Sequence, residues 1–350
     1  MSALLEVGNV RKYFTRSSPV IFNWKDKRGV KAVDGVALSI NRGETLAIVG
    51  ESGCGKSTLG RIMVGLLKPD EGFVDFEGVR LNSLKASELR ALRQNIQIIF
   101  QDPFATLNPR LTIEQTLIEP LKNFGLHKGE ELKRVVELLE MVGLSKDHLN
   151  RYPHEFSGGQ RQRIGIARAI SVEPKLIICD EVVSALDVSI QAQILNLLQD
   201  LQKRLGLTYV FISHDLSVVH HIADKVVVMY KGKVVESSDK QELFHRPRHP
   251  YTQVLLSSLP GTQNSLVHDT LGGEVAASAS LASCAFADRC MFAVDICRKQ
   301  EPKLEIYQHP THLVSCHKKE NLPDFDTSYL DAPAQSLESI RLQSFQSYFA

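Results

Sequence analysis

Three short apolar runs each have the composition of a strand buried in a parallel sheet. They are TLAIVG (45–50), KLIICDE (175–181) and LTYVFISHD (207–215). The first leads into a glycine-rich segment, the second ends in two carboxylates, and the third reaches a histidine. Because binding sites in open α/β sheets form at the carboxyl ends of the strands, chemistry is expected at these three ends.

Two longer stretches between these runs have a helical pattern. LTIEQTLIEPLKNFGL (111–126) and GEELKRVVELLEMVGL (129–144) repeat apolar positions at three- and four-residue spacing. This spacing predicts two amphipathic helices joined by a turn of Gly, His and Lys. From the pattern alone, the helices could simply fill the core.

The segment after the first run predicts a phosphate-binding loop. GESGCGKST fits the pattern G-x-x-x-x-G-K-[S/T]. Its glycines let several backbone N–H groups face one anion at the start of the next helix, although a glycine-rich turn without a ligand is the alternative. Lys56 would reach the β- and γ-phosphates of a nucleotide, and the Ser57 hydroxyl would bind Mg²⁺. The candidate binding residues are Gly50, Glu51, Ser52, Gly53, Cys54, Gly55, Lys56, Ser57 and Thr58.

The other two strand ends supply candidate catalytic residues. Asp180 would hold the magnesium ion through its water shell, and Glu181 would orient and deprotonate the attacking water. His214 would hydrogen-bond the γ-phosphate, or it could be only a surface or capping group.

Charge and hydropathy narrow the class of protein. Lys plus Arg (41) nearly equals Asp plus Glu (40), so the balance predicts no nucleic-acid partner. The first residues lack the layout of a secretion signal, and no apolar run reaches the roughly 18 residues that a membrane span needs. We therefore expect the chain to work in the cytosol.

One further motif identifies a family. EFSGGQRQRIGIARAI (155–170) resembles the signature of ABC ATPases, and the remaining motifs of that family follow in the same order. The residues that the resemblance assigns are Phe14 as the aromatic that stacks on adenine (with Tyr13 as the alternative), Gln101 as the Q-loop glutamine and a Mg²⁺ ligand, Ser157, Gly158, Gly159 and Gln160 as the signature, Asp187 in the D-loop SALD, and His214 as the switch histidine.

The resemblance implies both the fold and a dimer. We expect an α/β fold with a P-loop NTPase (RecA-like) core, an antiparallel β subdomain, an inserted helical subdomain at about 102–158 and a small C-terminal extension containing cysteines. ATP would lie between the phosphate loop of one subunit and the Ser157–Gln160 segment of another. Hydrolysis would then let the subunits separate. In the family, the helical subdomain receives a coupling helix from a membrane subunit.

Finer similarities point to bacterial oligopeptide and dipeptide importers. HRPRHPYTQVLLSSLP contains the His249-Pro250-Tyr251-Thr252 segment typical of their C-terminal extension, and the inserted loop TRSSPVIFNWKDKRG (15–29) resembles that of the second of two ATPases. The expected domains are the ATPase (1–240), the extension (241–320) and a polar, flexible tail (321–350). Val182 departs from the Pro or Ala usual in the family.

The resemblance also implies partners. We expect a second ABC ATPase subunit, with a heterodimer favoured over a homodimer, two transmembrane permeases, and an extracellular or periplasmic solute-binding protein. The complex would lie at the cytoplasmic face of the inner membrane. Alternative cargoes are nickel, glutathione or other small solutes. A soluble ABC ATPase acting on DNA or ribosomes fits this single cassette less well.

The extension holds four clustered cysteines with the spacing C-x5-C-x6-C-x18-C: Cys284, Cys290, Cys297 and Cys316. Cytosolic thiols stay reduced, so the cluster suggests a metal rather than disulfides. The spacing is wider than in most structural zinc sites and is compatible with a [4Fe–4S] cluster, which some members of the resembled group carry. We expect the cluster; the alternatives are zinc, assisted by His312 or His317, and free thiols.

Overall fold

The computed structural model describes residues 3–14, 29–102, 106–259 and 283–327. Of the inserted loop predicted at 15–29 only residue 29 is described, and of the tail predicted at 321–350 only residues 321–327 are described.

The strands of the described residues form two sheets. The four-stranded sheet has the order β2-β1-β4-β5, and the eight-stranded sheet has the order β11-β12-β10-β9-β3-β8-β7-β6. The strands are β1 (Leu5–Phe14), β2 (Val30–Ile40), β3 (Thr45–Val49), β4 (Glu71–Phe76), β5 (Val79–Arg80), β6 (Ile96–Ile99), β7 (Leu176–Asp180), β8 (Thr208–Ser213), β9 (Lys225–Tyr230), β10 (Lys233–Asp239), β11 (Glu305–Tyr307) and β12 (His309–Val314).

The centre of the large sheet is parallel and buried on both faces. Strands β6, β7, β8, β3 and β9 run parallel, and every residue of β3, β7 and β8 is buried. Alternate residues of β8 enter different cores: Tyr209 and Phe211 pack on one face, and Val210 and Ile212 on the other. This double burial explains why these strands are continuous apolar runs in the sequence.

Helices pack against this sheet and against one another. In the described residues they are α1 (Lys56–Met63), α2 (Ala86–Leu92), α3 (Ile113–Phe124), α4 (Glu131–Met141), α5 (Gly158–Ile170), α6 (Val188–Leu205), α7 (Leu216–Ile222), α8 (Lys240–His245), α9 (Pro250–Leu256) and α10 (Asp295–Lys299). None of them is both long and apolar enough to cross a bilayer.

Helices α3 and α4 are the two amphipathic helices that the sequence predicts. The Thr112 side chain caps α3 by accepting a hydrogen bond from the Gln115 N–H, and Gly125 ends the helix with a left-handed φ of 67°. Their apolar faces join a core that also contains α5 and α6.

The C-terminal segment continues the large sheet. Strand β10 pairs with β9 and, on its other edge, with β12 (Glu236 opposite Val314). A third core joins this segment to β3 and β9, and it contains Tyr230, Tyr251 and Phe286. The extension is therefore packed directly behind the strand that leads into the glycine-rich loop.

Candidate active site

The glycine-rich loop connects β3 to α1, and its path requires glycine. Gly55 has a φ of +106°, and a Cβ there would lie 1.9 Å from the Ala32 carbonyl oxygen. A Cβ at Gly50 would lie 2.2 Å from the Met229 carbonyl oxygen. Both obstructing atoms belong to the backbone, so no larger residue fits without moving the loop.

Lys56 lies inside this loop. Its side chain is buried, and its Nζ donates to the carbonyl oxygens of Gly50 (2.7 Å) and Glu51 (3.0 Å). A buried ammonium group at the first turn of a helix is a strong anion site, because the free N–H groups of the helix add to its charge. The loop therefore fits the phosphates of a nucleotide.

Ser57 and Asp180 form a pair beside the loop. The Ser57 hydroxyl donates to Asp180 Oδ1 at 2.8 Å. Burial at the end of β7 raises the pKa of Asp180 above its ordinary value. A cation bound beside this side chain would oppose that effect and favour the charged carboxylate. A hydroxyl and a carboxylate are hard oxygen ligands of the kind that Mg²⁺ prefers, so this pair fits the ion.

Two side chains meet the carboxylate of Glu181. The Gln101 amide donates to Glu181 Oε2 at 2.9 Å, and His214 Nδ1 lies 3.4 Å from Glu181 Oε1. Because β6, β7 and β8 are parallel neighbours, the residues that follow them meet at one edge. Glu181 has a left-handed φ of 52°, uncommon for a non-glycine residue and frequent at functional sites.

The segment Ser157–Gln160 forms the start of α5. The Ser157 hydroxyl accepts from the Gln160 N–H (3.3 Å), and the Gln160 side chain accepts from the Ser157 N–H (3.0 Å). A Cβ at Gly159 would lie 2.5 Å from Ile190 Cγ2 on α6. Within the described part of the chain, no hydrogen bond joins this segment to the loop at 50–58.

The remaining candidates lie at the surface. Phe14 ends β1 with 44% of its surface exposed, whereas the neighbouring Tyr13 N–H is held by Asp70 at 2.8 Å. Asp187 is exposed at the N-cap of α6, and its side chain makes no capping bond.

Two residues that the sequence analysis did not single out as site residues contact the loop. The Glu51 N–H donates to the Tyr251 hydroxyl at 2.8 Å, and the Arg289 guanidinium pairs with the Glu51 carboxylate. In the sequence, Tyr251 indicates only the resemblance to peptide importers. Arg289 is 238 positions from Glu51, so no sequence pattern indicates that the two residues pair.

The chain matches ATP-binding proteins over nearly their whole length. The chain is 52% identical over 322 residues to the oligopeptide transport ATP-binding protein AppF of Bacillus subtilis, with 90% of this chain and 97% of AppF covered. It is 48% identical over 326 residues to OppF of Escherichia coli, described in the same words, with 91% and 97% covered. The chain belongs to the ABC transporter ATP-binding family.

Family patterns and solved structures agree with this assignment. The ABC transporter family matches residues 33–184, and the oligopeptide/dipeptide transporter C-terminal region matches residues 235–297. The structure of cbiO1 from Clostridium perfringens, described as part of the ABC transporter complex cbiONQ, has a TM-score of 0.60 at 32% identity and covers 70% of this chain and 91% of its own. A dimeric structure of the ATP-binding cassette MJ0796 with ADP and Pi has a TM-score of 0.60 at 32% identity, with 67% and 98% covered.

The predicted fold class is therefore confirmed as an ABC ATPase cassette. The predicted activity is also confirmed, since members of the ABC transporter ATP-binding family hydrolyse ATP to drive transport.

The predicted iron–sulfur cluster of this ABC protein is wrong. Among the described residues, no group of three or more His, Cys, Asp and Glu side chains is arranged to hold a metal ion, which also contradicts the zinc alternative. The relatives are described by ATP binding and oligopeptide transport, with no iron–sulfur centre.

The four cysteines instead pack as free thiols. Cys284, Cys290, Cys297 and Cys316 line a cavity of about 10 Å³, room for roughly one water molecule. Burial raises the pKa of Cys290 to about 11 and that of Cys316 to about 12. Cys290 and Cys316 are therefore protonated at neutral pH in this state.

Proposed function

We propose that this chain powers the import of di- and oligopeptides by hydrolysing ATP. The observation that carries the catalytic part is the convergence of Gln101 and His214 on Glu181. The transport part is supported by relatives, 46–52% identical, whose names describe oligopeptide transport or peptide import.

ATP would bind with its β- and γ-phosphates in the loop. Lys56 would exchange the carbonyl oxygens of Gly50 and Glu51 for phosphate oxygens, a stronger charge-assisted interaction. Mg²⁺, when bound, neutralises charge on the phosphates, and Ser57, Asp180 and Gln101 are the residues that would hold it. The backbone and side chains of Ser52, Gly53, Cys54, Gly55 and Thr58 would complete the cradle.

Glu181 would be the general base. The Gln101 amide fixes one oxygen of its carboxylate, and His214 lies against the other, so the carboxylate is oriented before the substrate arrives. It would take a proton from water as the water attacks the γ-phosphorus, and ADP and phosphate would leave. His214, whose side chain is 55% exposed, is free to contact the γ-phosphate from the other side.

The second half of the site would come from another ATPase subunit. The exposed start of α5 at Ser157, Gly158, Gly159 and Gln160 would bind the γ-phosphate of ATP held in the partner's loop, with Asp187 at the subunit contact. Phe14 would stack on adenine. The dimeric MJ0796 structures support such an arrangement. We favour a heterodimer, docked on two permeases at the cytoplasmic face of the membrane and supplied by a solute-binding protein. The ATPase domain would be 1–240 and the extension 241–320.

The catalytic proposal is tested by Glu181→Gln. A general base contributes about 10²–10⁴-fold, so MgATP turnover should fall by at least about a hundredfold while MgATP binding is retained. The variant should accumulate as a closed dimer with its partner ATPase on gel filtration. Glu130→Gln is the matched control, because Glu130 is exposed and pairs only loosely with Lys133 (3.8 Å). Turnover by Glu181→Gln equal to that of the control would remove Glu181 from the mechanism.

The cargo is tested with the assembled transporter. Proteoliposomes that contain both ATPases and both permeases, with the binding protein added, should accumulate a labelled tripeptide in an ATP-dependent manner. Uptake of nickel ions or glutathione instead would refute peptide cargo and leave the ATPase assignment intact.

A further inference from the structure

The C-terminal extension forms hydrogen bonds with the phosphate loop at Glu51. The Tyr251 hydroxyl, on α9, accepts a hydrogen bond from the Glu51 N–H at 2.8 Å. Arg289, between two of the cysteines, donates from both terminal nitrogens to the two carboxylate oxygens of Glu51, each at 2.9 Å. A bidentate arginine–carboxylate pair is both stronger and more directional than a single hydrogen bond.

Arg289 is itself held in place by aromatic rings. Its guanidinium carbon lies 5.9 Å from the ring centre of Tyr230 and 5.7 Å from that of Phe286, within cation–π range. Phe286 is buried, and its ring packs against Tyr251 at 5.4 Å. The two residues that hold Glu51 therefore share one rigid aromatic support.

All three polar groups of Glu51 are engaged in this state. The N–H donates to Tyr251, the carboxylate binds Arg289, and the carbonyl accepts from Lys56. When Lys56 turns to a phosphate, the two contacts from the extension remain, together with the hydrogen bond from the Cys54 N–H to the Glu51 carbonyl oxygen (3.2 Å). Gly50 precedes Glu51 and Gly53 follows it two positions later, so without the contacts from the extension the segment would have more accessible conformations.

We propose that Arg289 and Tyr251 are positioning residues that hold the phosphate loop in its nucleotide-binding conformation, so that the extension sets the affinity for ATP. This inference rests on the proposed role of the loop. The physical reason is preorganisation: a loop ordered during folding does not have to be ordered again when the nucleotide binds.

The test is the dissociation constant of MgATP, measured by calorimetry on the full-length chain carrying Glu181→Gln to prevent turnover. Arg289→Ala should weaken binding about tenfold, Arg289→Lys less, and Tyr251→Phe about threefold. Arg298→Ala is the matched control, because Arg298 lies in the same extension and pairs with Asp288 at an exposed site. It should bind MgATP like the parent.

Two further measurements distinguish positioning of the loop from a purely structural role of Arg289. In the hydrolysis-competent chain with its partner ATPase, Arg289→Ala should raise the KM for ATP and leave kcat nearly unchanged. Combining Arg289→Ala with Glu51→Ala should weaken binding no more than the worse single change, and the exchanged pair Arg289→Glu with Glu51→Arg should recover part of the affinity.

Equal MgATP affinity of Arg289→Ala, Tyr251→Phe and the control would overturn the proposal. So would additive losses in the double variant, since these would mean that the two residues act separately. Failure of the parent chain to bind MgATP at all would instead overturn the proposed function of the loop.

Discussion

The buried carboxylate of Glu236 offers a direct test of how the extension is attached. Glu236 and His312 are both fully buried, with His312 Nε2 2.8 Å from Glu236 Oε1. The same carboxylate accepts the N–H groups of Arg248 (2.7 Å) and His249 (3.0 Å). The carboxylate of one β10 residue thus binds two N–H groups at the start of α9 and the imidazole of His312 on the neighbouring strand β12.

Replacing Glu236 by alanine would leave three hydrogen-bonding groups, two of them buried, without their acceptor. Each unsatisfied group costs about 1–3 kcal/mol, so losing the shared acceptor of three groups should cost about 3–5 kcal/mol in total after partial relaxation. We expect Glu236→Ala to lower the free energy of unfolding by about 3–5 kcal/mol. Glu236→Gln should cost about 1–3 kcal/mol, because its amide NH₂ must face at least one of the existing donors.

Urea unfolding followed by circular dichroism, together with limited proteolysis of the extension, would measure this loss. Glu305→Gln is the matched control: Glu305 lies on the adjacent strand β11 and pairs with Lys319 at 2.7 Å, but 57% of its side chain is exposed. Such a surface pair is worth less than about 1 kcal/mol. If Glu236→Ala lost no more stability than the control, the account of the network as the attachment of the extension would be wrong.

Two further predictions concern pH and the loop. Burial lowers the pKa of His249 to about 3. At a pH between about 3 and about 6.5, the unfolded chain therefore binds a proton that the folded chain does not. The free energy of unfolding should fall as the pH drops below about 6.5, by up to roughly 1.4 kcal/mol per pH unit. His249→Asn keeps a capping acceptor for the Tyr251 N–H and should flatten this part of the slope in urea titrations at pH 7.5 and 5.0; an unchanged slope would assign the effect to other groups. Gly55→Ala should abolish MgATP binding because of the clash with the Ala32 carbonyl oxygen, whereas Gly53→Ala meets no atom within 4 Å and should cost only the left-handed strain of about 1–2 kcal/mol. Similar binding by the two variants would show that the clash does not control the loop.

The parts of the site that lie at strand ends could be predicted from the sequence. The runs before Gly50 and His214, and the run that ends in Asp180 and Glu181, are buried on both faces, so their composition is unambiguous. Parallel order then brings the residues after them to one edge. Contacts between distant segments left no such trace: Arg289 is 238 positions from Glu51, and His312 is 76 positions from Glu236.

For the cysteines, a clear sequence pattern led to a wrong prediction. Their spacing suggested a cluster, but spacing along the chain does not determine where sulfur atoms lie or whether they are ionised. In the folded chain Cys284 and Cys290 pack against the core that contains Phe286, and burial keeps them as thiols. Apolar packing, which no cysteine pattern reveals, keeps these two side chains protonated.

Glu181 receives one contact from Gln101, which begins the connection from β6 towards α3, and one from His214 after β8. Any displacement of α3 that pulls Gln101 away therefore changes the environment of the same carboxylate on which hydrolysis depends. Linkage between two binding events is reciprocal. If engagement of a membrane subunit alters the affinity for nucleotide through this glutamine, nucleotide must alter the affinity for that membrane subunit by the same factor.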